Sequence, residues 1–296
     1  MKKFFALFIA FYFSCMFSYA QVNKLKSEIE HLIRDKKATV GVSILANNCK
    51  DTININENFH YPMQSVFKFP IALAVLSEID RGNFRLEQNI KISPEELLPD
   101  TWSPIRKKYP DGTTISLAEI IRYTIAESDN NGCDILLQLI GGTAAVEKFL
   151  SEHQIIDISV KVNEREMHQR RELQFHNWAT PVALTQLLMK FYGPNDKSIL
   201  SKESFDFLWK VMSHTATGTN RLKGQLPKGT VIAHKTGTSG PDKNTSAAIH
   251  DIGIIILPTG EPVFISVLIS DSLEDFHTNE KIISDISKIV WKHYTK

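Results

Sequence analysis

The spacing of apolar residues along this 296-residue chain changes period twice, and that order narrows the possible folds more than any other feature. A helical stripe over 22–35 precedes two segments with strand-like alternation, the middle of the chain has helical periods, and the last third returns to strands. Because both ends form strands, we expect one antiparallel sheet built from the two ends, with the helical segment inserted between them. The predicted elements are strands at Thr39–Leu45 and Thr52–Asn56, helices at Val66–Arg81, Leu117–Ile125, Asn131–Ile140, Thr143–His153 and Pro181–Phe191, strands at Val231–Lys235, Ala247–Leu257 and Val263–Ser270, and a last helical stripe from Ile282 to Val290.

The predicted fold class is α/β of the α+β kind, an antiparallel β-sheet flanked by N- and C-terminal helices with an inserted all-α lobe. We expect one domain, in which the sheet lobe comprises about 21–62 and 212–296 and the helical lobe about 63–211. Hydrophobic residues make up 43% of the chain, which is typical of globular proteins, and the net charge of +1 provides no basic surplus for nucleic acid. The expected partner is a small molecule, and the expected state is a monomer.

The first twenty residues have the pattern of an export signal. Two lysines precede an apolar run from Phe4 to Phe17, and small residues end the segment at Ala20. Cys15 could be taken for a lipoprotein cysteine, but the residues before it are bulkier than such signals usually carry. No other stretch approaches the roughly 20 apolar residues of a spanning helix. The sequence therefore predicts a signal peptide over 1–20 and a periplasmic protein with no membrane segment after signal removal.

Two further cysteines, Cys49 and Cys133, lie after the predicted signal. A disulfide needs Cα atoms within roughly 7 Å, which spacing alone does not establish, and we expect both thiols to be reduced and structural. The chain has no His-Glu-x-x-His motif, and the two cysteines are far apart, so the sequence provides no pattern for a zinc site. We predict neither a metal nor a cofactor.

A serine with a possible base beside it opens the first predicted helix of the middle segment. Ser65 and Lys68 are three residues apart, so their hydroxyl and ammonium groups share one face at the helix N-terminus. A serine hydroxyl is a poor nucleophile until a neighbouring group accepts its proton. Because Ser-x-x-Lys should occur by chance roughly once in a chain of this length, the motif alone is a weak indication.

Two tripeptides strengthen that indication, Ser128-Asp129-Asn130 after a helical run and Lys235-Thr236-Gly237 at the end of a strand. Each would arise by chance in roughly one such chain in fifteen or twenty, so all three motifs in this order are unlikely to be accidental. The structural alternative is that the first tripeptide caps a helix and that the second belongs to an edge strand with a solvated lysine.

Together the three motifs resemble the signatures of penicillin-recognising serine enzymes, the class A β-lactamases and penicillin-binding proteins. The resemblance covers essentially the whole mature chain. The run from His234 to Ser239 and the Gln64-Ser65 start are most similar to the cephalosporinase branch that includes the PER and VEB types. Trp102 lies where class A enzymes carry an aromatic residue at the mouth of the cleft, and Arg221 lies in a segment similar to one that supplies a carboxylate-binding arginine.

A glutamate in an Ω loop distinguishes class A β-lactamases within this resemblance. The family places it thirty-four positions after the asparagine of Ser-Asp-Asn, which predicts Glu164 as the deacylation base, with Glu166 as a near competitor. Val162 and Asn177 replace the arginine and aspartate whose salt bridge usually closes the loop. The sequence therefore leaves the conformation of this loop open, and the long polar segment from 160 to 180 has no clear period.

The resemblance implies a mechanism in which Ser65 attacks a lactam carbonyl while Lys68, or Glu164 through a water, takes its proton. Ser128 would relay a proton to the leaving nitrogen, and Glu164 would drive water onto the ester. The implied substrate-binding residues are Asn130 for the side-chain amide, Lys235, Thr236 and Arg221 for the carboxylate, Thr238 with Ser65 for the oxyanion, Trp102 at the entrance, and His168 near the hydrolytic water. The alternatives are a D,D-peptidase, which normally lacks the Ω-loop glutamate, and a sensor that is acylated without turnover.

Overall fold

The computed structural model of the protein describes residues 20–193, 198–242 and 245–296. The predicted signal peptide lies outside the described residues apart from residue 20. The helices are α1 at 20–33, α2 at Lys68–Asp80, α3 at Pro104–Lys108, α4 at Leu117–Ala126, α5 at Asn130–Ile140, α6 at Thr143–Glu152, α7 at Glu164–Gln169, α8 at Pro181–Tyr192, α9 at Lys202–Ser213 and α10 at Phe276–Tyr294. The strands are β1 at Thr39–Ala46, β2 at Asp51–Ile55, β3 at Tyr61–Pro62, β4 at Asn89–Ile92, β5 at Thr113–Ser116, β6 at Ile158–Ser159, β7 at Trp178–Ala179, β8 at Ile232–Thr238, β9 at Pro241–Asp242, β10 at Thr245–Ser246, β11 at Ile249–Ile256 and β12 at Pro262–Ser270.

The main sheet joins the two ends of the chain. Its five strands lie in the order β2-β1-β12-β11-β8, and all neighbours are antiparallel. β1 and β2, which correspond to the first two predicted strands, form a hairpin. Asn47 and Asn48 turn the chain with positive φ angles of 51° and 54°, a conformation that asparagine tolerates better than most residues. The predicted α+β class, with helices between strand-forming ends, is confirmed.

The two faces of the sheet bury different apolar groups because side chains alternate along each strand. Along β12, Val263, Ile265, Val267 and Ile269 join a cluster with α1 and α10. Phe264 and Leu268 of the same strand face the helical segment instead. Between them lies the polar residue Ser266, whose hydroxyl accepts a hydrogen bond from Thr185 Oγ1 of α8 at 2.8 Å.

Helix α2 is the centre of the helical segment. Its first ten residues, Lys68 to Ser77, are all buried, which explains why its apolar residues surround the helix rather than forming one stripe. The predicted single helix over Val66–Arg81 is divided: a 3₁₀ turn over Gln64–Phe67 precedes α2. This turn determines the position of the motif serine. No helix among the described residues is long and apolar enough to cross a membrane.

Candidate active site

Ser65 and Lys68 meet because of the 3₁₀ turn that carries the serine. A 3₁₀ turn has three residues per turn, so side chains three positions apart eclipse one another. The Lys68 ammonium lies 2.9 Å from Ser65 Oγ. Ser65 is half-buried, whereas the Lys68 side chain is fully buried at the start of α2. The site therefore pairs an accessible hydroxyl with a cation that has no contact with solvent.

The buried Lys68 ammonium is surrounded by oxygen acceptors. It donates to the Ser128 carbonyl at 3.0 Å and to the Asn130 side-chain oxygen, and it lies 2.8 Å from Glu164 Oε1. A buried charge is tolerated only when it is paired and hydrogen-bonded, and these contacts meet that requirement. Lys68 therefore joins the serine, the Ser-Asp-Asn motif and the loop carboxylate.

Ser128 contacts both lysines because its backbone is left-handed. Its φ of 60° is unusual for a residue other than glycine. In this conformation the carbonyl faces Lys68, while the hydroxyl accepts a hydrogen bond from Lys235 Nζ at 3.0 Å. The next residue, Asp129, caps α5 by accepting from Gly132 N–H at 2.7 Å. The tripeptide therefore both caps a helix and supplies polar groups to the site.

Lys235 lies on the edge strand β8 but is fully buried, so the interpretation as a solvated lysine is wrong. Burial lowers the pKa of Lys235 well below its ordinary value, as does the charge of Lys68, while Asp251 opposes this shift. Gly237 explains how β8 approaches the nucleophile. A Cβ atom at Gly237 would lie 2.5 Å from the Met63 carbonyl, so a side chain there would push the strand away from the turn that holds Ser65.

Of the two candidate glutamates, the structure brings Glu164 to the lysine and directs Glu166 elsewhere. Glu164 is the first residue of α7, and its side chain is 12% exposed beside Lys68. Glu166 Oε2 instead accepts from the Asn163 N–H at 2.9 Å in a capping box. The capping box is a local signal in the sequence that could have assigned Glu166 to a structural position.

A cavity of about 190 Å³ opens in front of these groups. Its lining includes predicted residues, Asn130, Glu164, His168 and Thr238, and also Thr101, Gln174 and Arg171, which the sequence did not single out. Thr101 Oγ1 accepts a hydrogen bond from Asn130 Nδ2 at 2.7 Å and so fixes the amide.

The serine, two buried lysines and a loop carboxylate are thus linked by direct contacts and by Ser128, and the carboxylate lines the cavity. A model of the β-lactamase enzyme family matches residues 24–294 of the chain.

The chain belongs to this family.

Named relatives and solved structures place it more narrowly. The β-lactamase VEB-1 of Pseudomonas aeruginosa is 53% identical over 99% of this chain and 98% of its own. The extended-spectrum β-lactamase PER-1 of the same organism is 39% identical over 96% and 92%. The crystal structure of the extended-spectrum β-lactamase TLA-1 has a TM-score of 0.90 at 49% identity, covering 93% of this chain and 99% of that one. A class A β-lactamase from Bacteroides cellulosilyticus has a TM-score of 0.87 at 38% identity, covering 93% and 98%. The predicted resemblance to class A enzymes of the PER and VEB branch is confirmed.

In this β-lactamase the loop that carries Glu164 is closed by an amide in place of the missing salt bridge. Asn177 is fully buried, and its side-chain oxygen accepts from the backbone N–H groups of Lys161 and Val162 at 2.7 and 3.0 Å. Its Nδ2 donates to the Val162 carbonyl at 2.8 Å. The substitutions at Val162 and Asn177 thus replace an ion pair by hydrogen bonds to the backbone.

Asp134 of α5, which was not among the predicted site residues, holds the other end of the same loop. Its carboxylate accepts from the backbone N–H groups of Glu164 and Arg165 at 2.8 and 2.9 Å. Burial raises the pKa of Asp134 to about 6, and the nearby Glu164 carboxylate also raises it, against the lowering by these N–H groups and by Lys68. The sequence does contain a signal for Asp134, because it is a polar residue four positions after Asn130, one turn along the predicted helix.

Two residues predicted to contact the substrate, Arg221 and Trp102, do not line the cavity. Arg221 is buried rather than open to the cleft: it pairs with Glu280 at 3.1 Å, donates to two backbone carbonyls, and reaches the site only through a 2.7 Å bond to Thr238 Oγ1. In this position Arg221 does not contact a substrate carboxylate directly. Trp102 is 63% exposed and donates to the Glu127 carbonyl at 2.8 Å, while its neighbour Thr101 lines the cavity.

Both cysteines of the described residues are free, as expected: Cys133 is buried, and Cys49 is half-buried against Met189. Burial raises the pKa of the Cys133 thiol well above its ordinary value, so this group is not a nucleophile at neutral pH. The described part of the chain contains no group of three or more histidine, cysteine or acidic side chains arranged to hold a metal ion.

Proposed function

We propose that this protein hydrolyses the amide bond of penicillins and cephalosporins through an acyl-enzyme on Ser65, and that it thereby confers resistance to these antibiotics. The observation that carries the proposal is the contact between Glu164 Oε1 and Lys68 Nζ at 2.8 Å, with Ser65 Oγ 2.9 Å from the same ammonium. A serine that only forms an ester needs no carboxylate beside it. A carboxylate beside the nucleophile provides a general base for water, which breaks the ester.

Acylation begins when Ser65 Oγ attacks the lactam carbonyl carbon. The hydroxyl proton passes to Lys68, or through a water to Glu164, and both routes fit the contacts of the lysine. The carbonyl oxygen becomes an oxyanion between the backbone N–H groups of Ser65 and Thr238. Removal of one such donor typically costs roughly 3 to 4 kcal/mol of transition-state stabilisation.

Opening of the ring requires a proton on the leaving nitrogen, and Ser128 supplies it. Its hydroxyl accepts a hydrogen bond from Lys235, whereas Glu164 contacts Lys68. The hydroxyl gives its proton to the nitrogen and is reprotonated from a neighbouring lysine. The C–N bond breaks, the carbonyl is restored, and the substrate remains as an ester on Ser65.

Deacylation uses Glu164 as the general base. It removes a proton from water, the hydroxide adds to the ester carbonyl, and the Ser65 oxygen leaves with a proton. General-base assistance contributes typically 10²- to 10⁴-fold. His168 lines the same cavity and is proposed to contact this water.

Substrate binding uses the two sides of the cleft. Asn130 binds the side-chain amide, and Lys235, Thr236 and Thr238 bind the ring carboxylate. Arg221 orients the Thr238 hydroxyl by donating a hydrogen bond to it. Thr217 likewise orients the Thr236 hydroxyl by a hydrogen bond, and the two hydroxyl oxygens are 2.6 Å apart. Trp102 borders the entrance. Cephalosporins are the proposed preferred class, because the run from His234 to Ser239 resembles that of the cephalosporinase branch.

Sustained turnover of nitrocefin by purified protein would separate this function from its alternatives. Many turnovers per molecule are the expected result, whereas one stoichiometric burst would indicate a D,D-peptidase or a sensor. Glu164→Gln is expected to leave the burst and to slow the steady state by about 10²- to 10⁴-fold, with the acyl-enzyme visible by mass spectrometry.

Glu166→Gln is the matched control, since it removes a carboxylate two positions away that contacts the backbone of Asn163 instead. If Glu166→Gln trapped the acyl-enzyme and Glu164→Gln turned over normally, the assignment of the base would be wrong.

We also propose export to the periplasm, as a monomer without its first twenty residues. The charged and apolar pattern of that segment supports the proposal. Amino-terminal sequencing of the protein from a periplasmic fraction should begin at residue 21. A mature protein that kept residues 1–20 would contradict it.

A further inference from the structure

Arg171 is the one lysine or arginine among the described residues that line the cavity in front of Glu164. It begins the 3₁₀ segment Arg171–His176 that follows α7, and its side chain is exposed. The Arg171 guanidinium donates to the carbonyl of Gly240, two residues after the end of β8, at 2.5 Å. A cation is thus held at the exposed rim of the cavity, whose lining does not include the two buried lysines.

The position of Arg171 relative to Asn130 determines what it could contact. Both residues line the same cavity, Asn130 next to Lys68 and Arg171 at the rim formed with Gly240. A substrate whose side-chain amide is bound by Asn130 extends its acyl group into this cavity and towards the rim. The remaining cavity lining is neutral amide, hydroxyl and thioether groups apart from His168 and the catalytic glutamate.

We infer that Arg171 is a specificity-determining residue that binds a second carboxylate, one carried at the end of the acyl side chain of the substrate. This inference rests on the proposed function. The planar guanidinium has five N–H donors in a fork that matches a carboxylate, and within the described residues one of them is used on Gly240. Because the hydrogen bond to Gly240 already restricts the arginine, its side chain loses less conformational entropy when it binds an anion.

Cefixime and cefdinir form a matched pair of probes, because they share the ring system, the vinyl group and the aminothiazole and differ in a carboxymethyl group on the oxime. The measured quantity is the ratio of kcat/KM for cefixime to kcat/KM for cefdinir. An exposed charge pair of about 1 kcal/mol corresponds to about 5-fold, so Arg171→Ala is expected to lower this ratio about 5-fold. Arg171→Lys should restore part of it.

Arg170→Ala is the control, since it removes the same charge from the neighbouring position, outside the cavity lining. It should leave the ratio within 2-fold. In the parent protein, a rise to about 1 M salt should lower the ratio towards that of Arg171→Ala, because exposed charge pairs are screened.

Three results would overturn the inference. The first is an unchanged ratio and unchanged rates in Arg171→Ala. The second is an equal loss of kcat/KM for both cephalosporins, which would mean that Arg171 only holds the rim of the cavity in place, and the third is an equal fall of the ratio in Arg170→Ala. None of these can be confused with failure of the proposed function, because in that case the parent protein would turn over neither cephalosporin.

Discussion

Two residues at the active site adopt a left-handed backbone although neither is glycine. Gln64, directly before the nucleophile, has a φ of 46°, and Ser128 has a φ of 60°. Such conformations cost of order 1 kcal/mol or more and persist where surrounding contacts enforce them. At Ser128 the contacts are with Lys68 and Lys235, and at Gln64 the side chain donates to Gln174 at 2.6 Å. Two of the ten left-handed non-glycine residues of the described chain are thus residues that orient the two lysines and the serine.

A comparison of two substitutions at Ser128 separates strain from chemistry. Ser128→Ala and Ser128→Gly both remove the hydroxyl and should both slow acylation strongly, measured as the nitrocefin burst rate. Glycine adopts a positive φ without strain, so Ser128→Gly should be more stable than Ser128→Ala by about 1 kcal/mol in chemical denaturation. Equal stabilities, or a more stable alanine variant, would show that the backbone at 128 is not strained.

Ser65, Ser128 and Asn130, which meet at Lys68, could be predicted because each lies in a motif of three or four residues. Glu164 was predicted from the spacing that the family resemblance implies. Asp134 and Thr101 were missed for a physical reason. Asp134 acts on backbone N–H groups thirty positions later in the chain, and this contact exists only once α5 and the loop pack together. The burial of Arg221 was likewise not readable, since it depends on Glu280 of α10.

At the scale of elements, the Glu164 loop is held at two points by single side chains that bind backbone groups. Asn177 closes its neck by contacts with Lys161 and Val162, and Asp134 fixes the first turn of α7. α7 has six residues and is too short to be stable alone, so the position of Glu164 depends on these two contacts. The Asn177 amide, which binds both backbone donors and a backbone acceptor, thus replaces the usual ion pair.

Asn177→Ala should therefore release the loop. It leaves two backbone N–H groups and one carbonyl without their partner, and each buried unpaired group costs about 1 to 3 kcal/mol. We expect faster hydrogen exchange over 160–178 and a slower deacylation rate, with little change in the acylation burst. Asn54→Ala, which removes an amide that accepts from Ser43 in the main sheet, is the control. Unchanged exchange over 160–178 in Asn177→Ala would contradict this account of the loop.

Long periodic elements were predicted within a few residues, and short elements were not. Helices α4, α5, α6 and α8 agree with their predicted bounds because each has a full apolar stripe and an end signal. The elements α3, α7, β4 and β5 are each four to six residues long, which is too short for a period to appear. α9 was missed although Ser201 caps it and Leu208, Val211 and Met212 form its buried stripe, so here the signal was present.

At the scale of the whole molecule, two buried groups have pKa values shifted in opposite directions, each of which favours the neutral form. Burial lowers the pKa of His250, in the sheet, from 6.5 to about 4, and burial raises the pKa of Asp134, beside α7, from 3.8 to about 6. As pH falls from about 6.5 to about 4, the unfolded histidine takes up a proton that the folded one refuses, which destabilises the fold. Over the same range the folded Asp134 takes up a proton before the unfolded one, which stabilises it. Each effect is of order 3 kcal/mol and they oppose one another.

Asp134→Asn removes only the stabilising member of this pair. Relative to the parent protein, the variant should therefore lose roughly 2 to 3 kcal/mol of unfolding free energy as pH falls from 7 to 4. Chemical denaturation at several pH values measures the difference directly, and groups common to both proteins cancel. At pH 7 the variant escapes the burial of a charge but keeps only one of the two N–H contacts to α7, so its deacylation should be slower even if its stability is unchanged. A stability difference independent of pH would mean that Asp134 does not titrate in this range, and that it holds Glu164 as a fixed charge rather than as an acid near its midpoint.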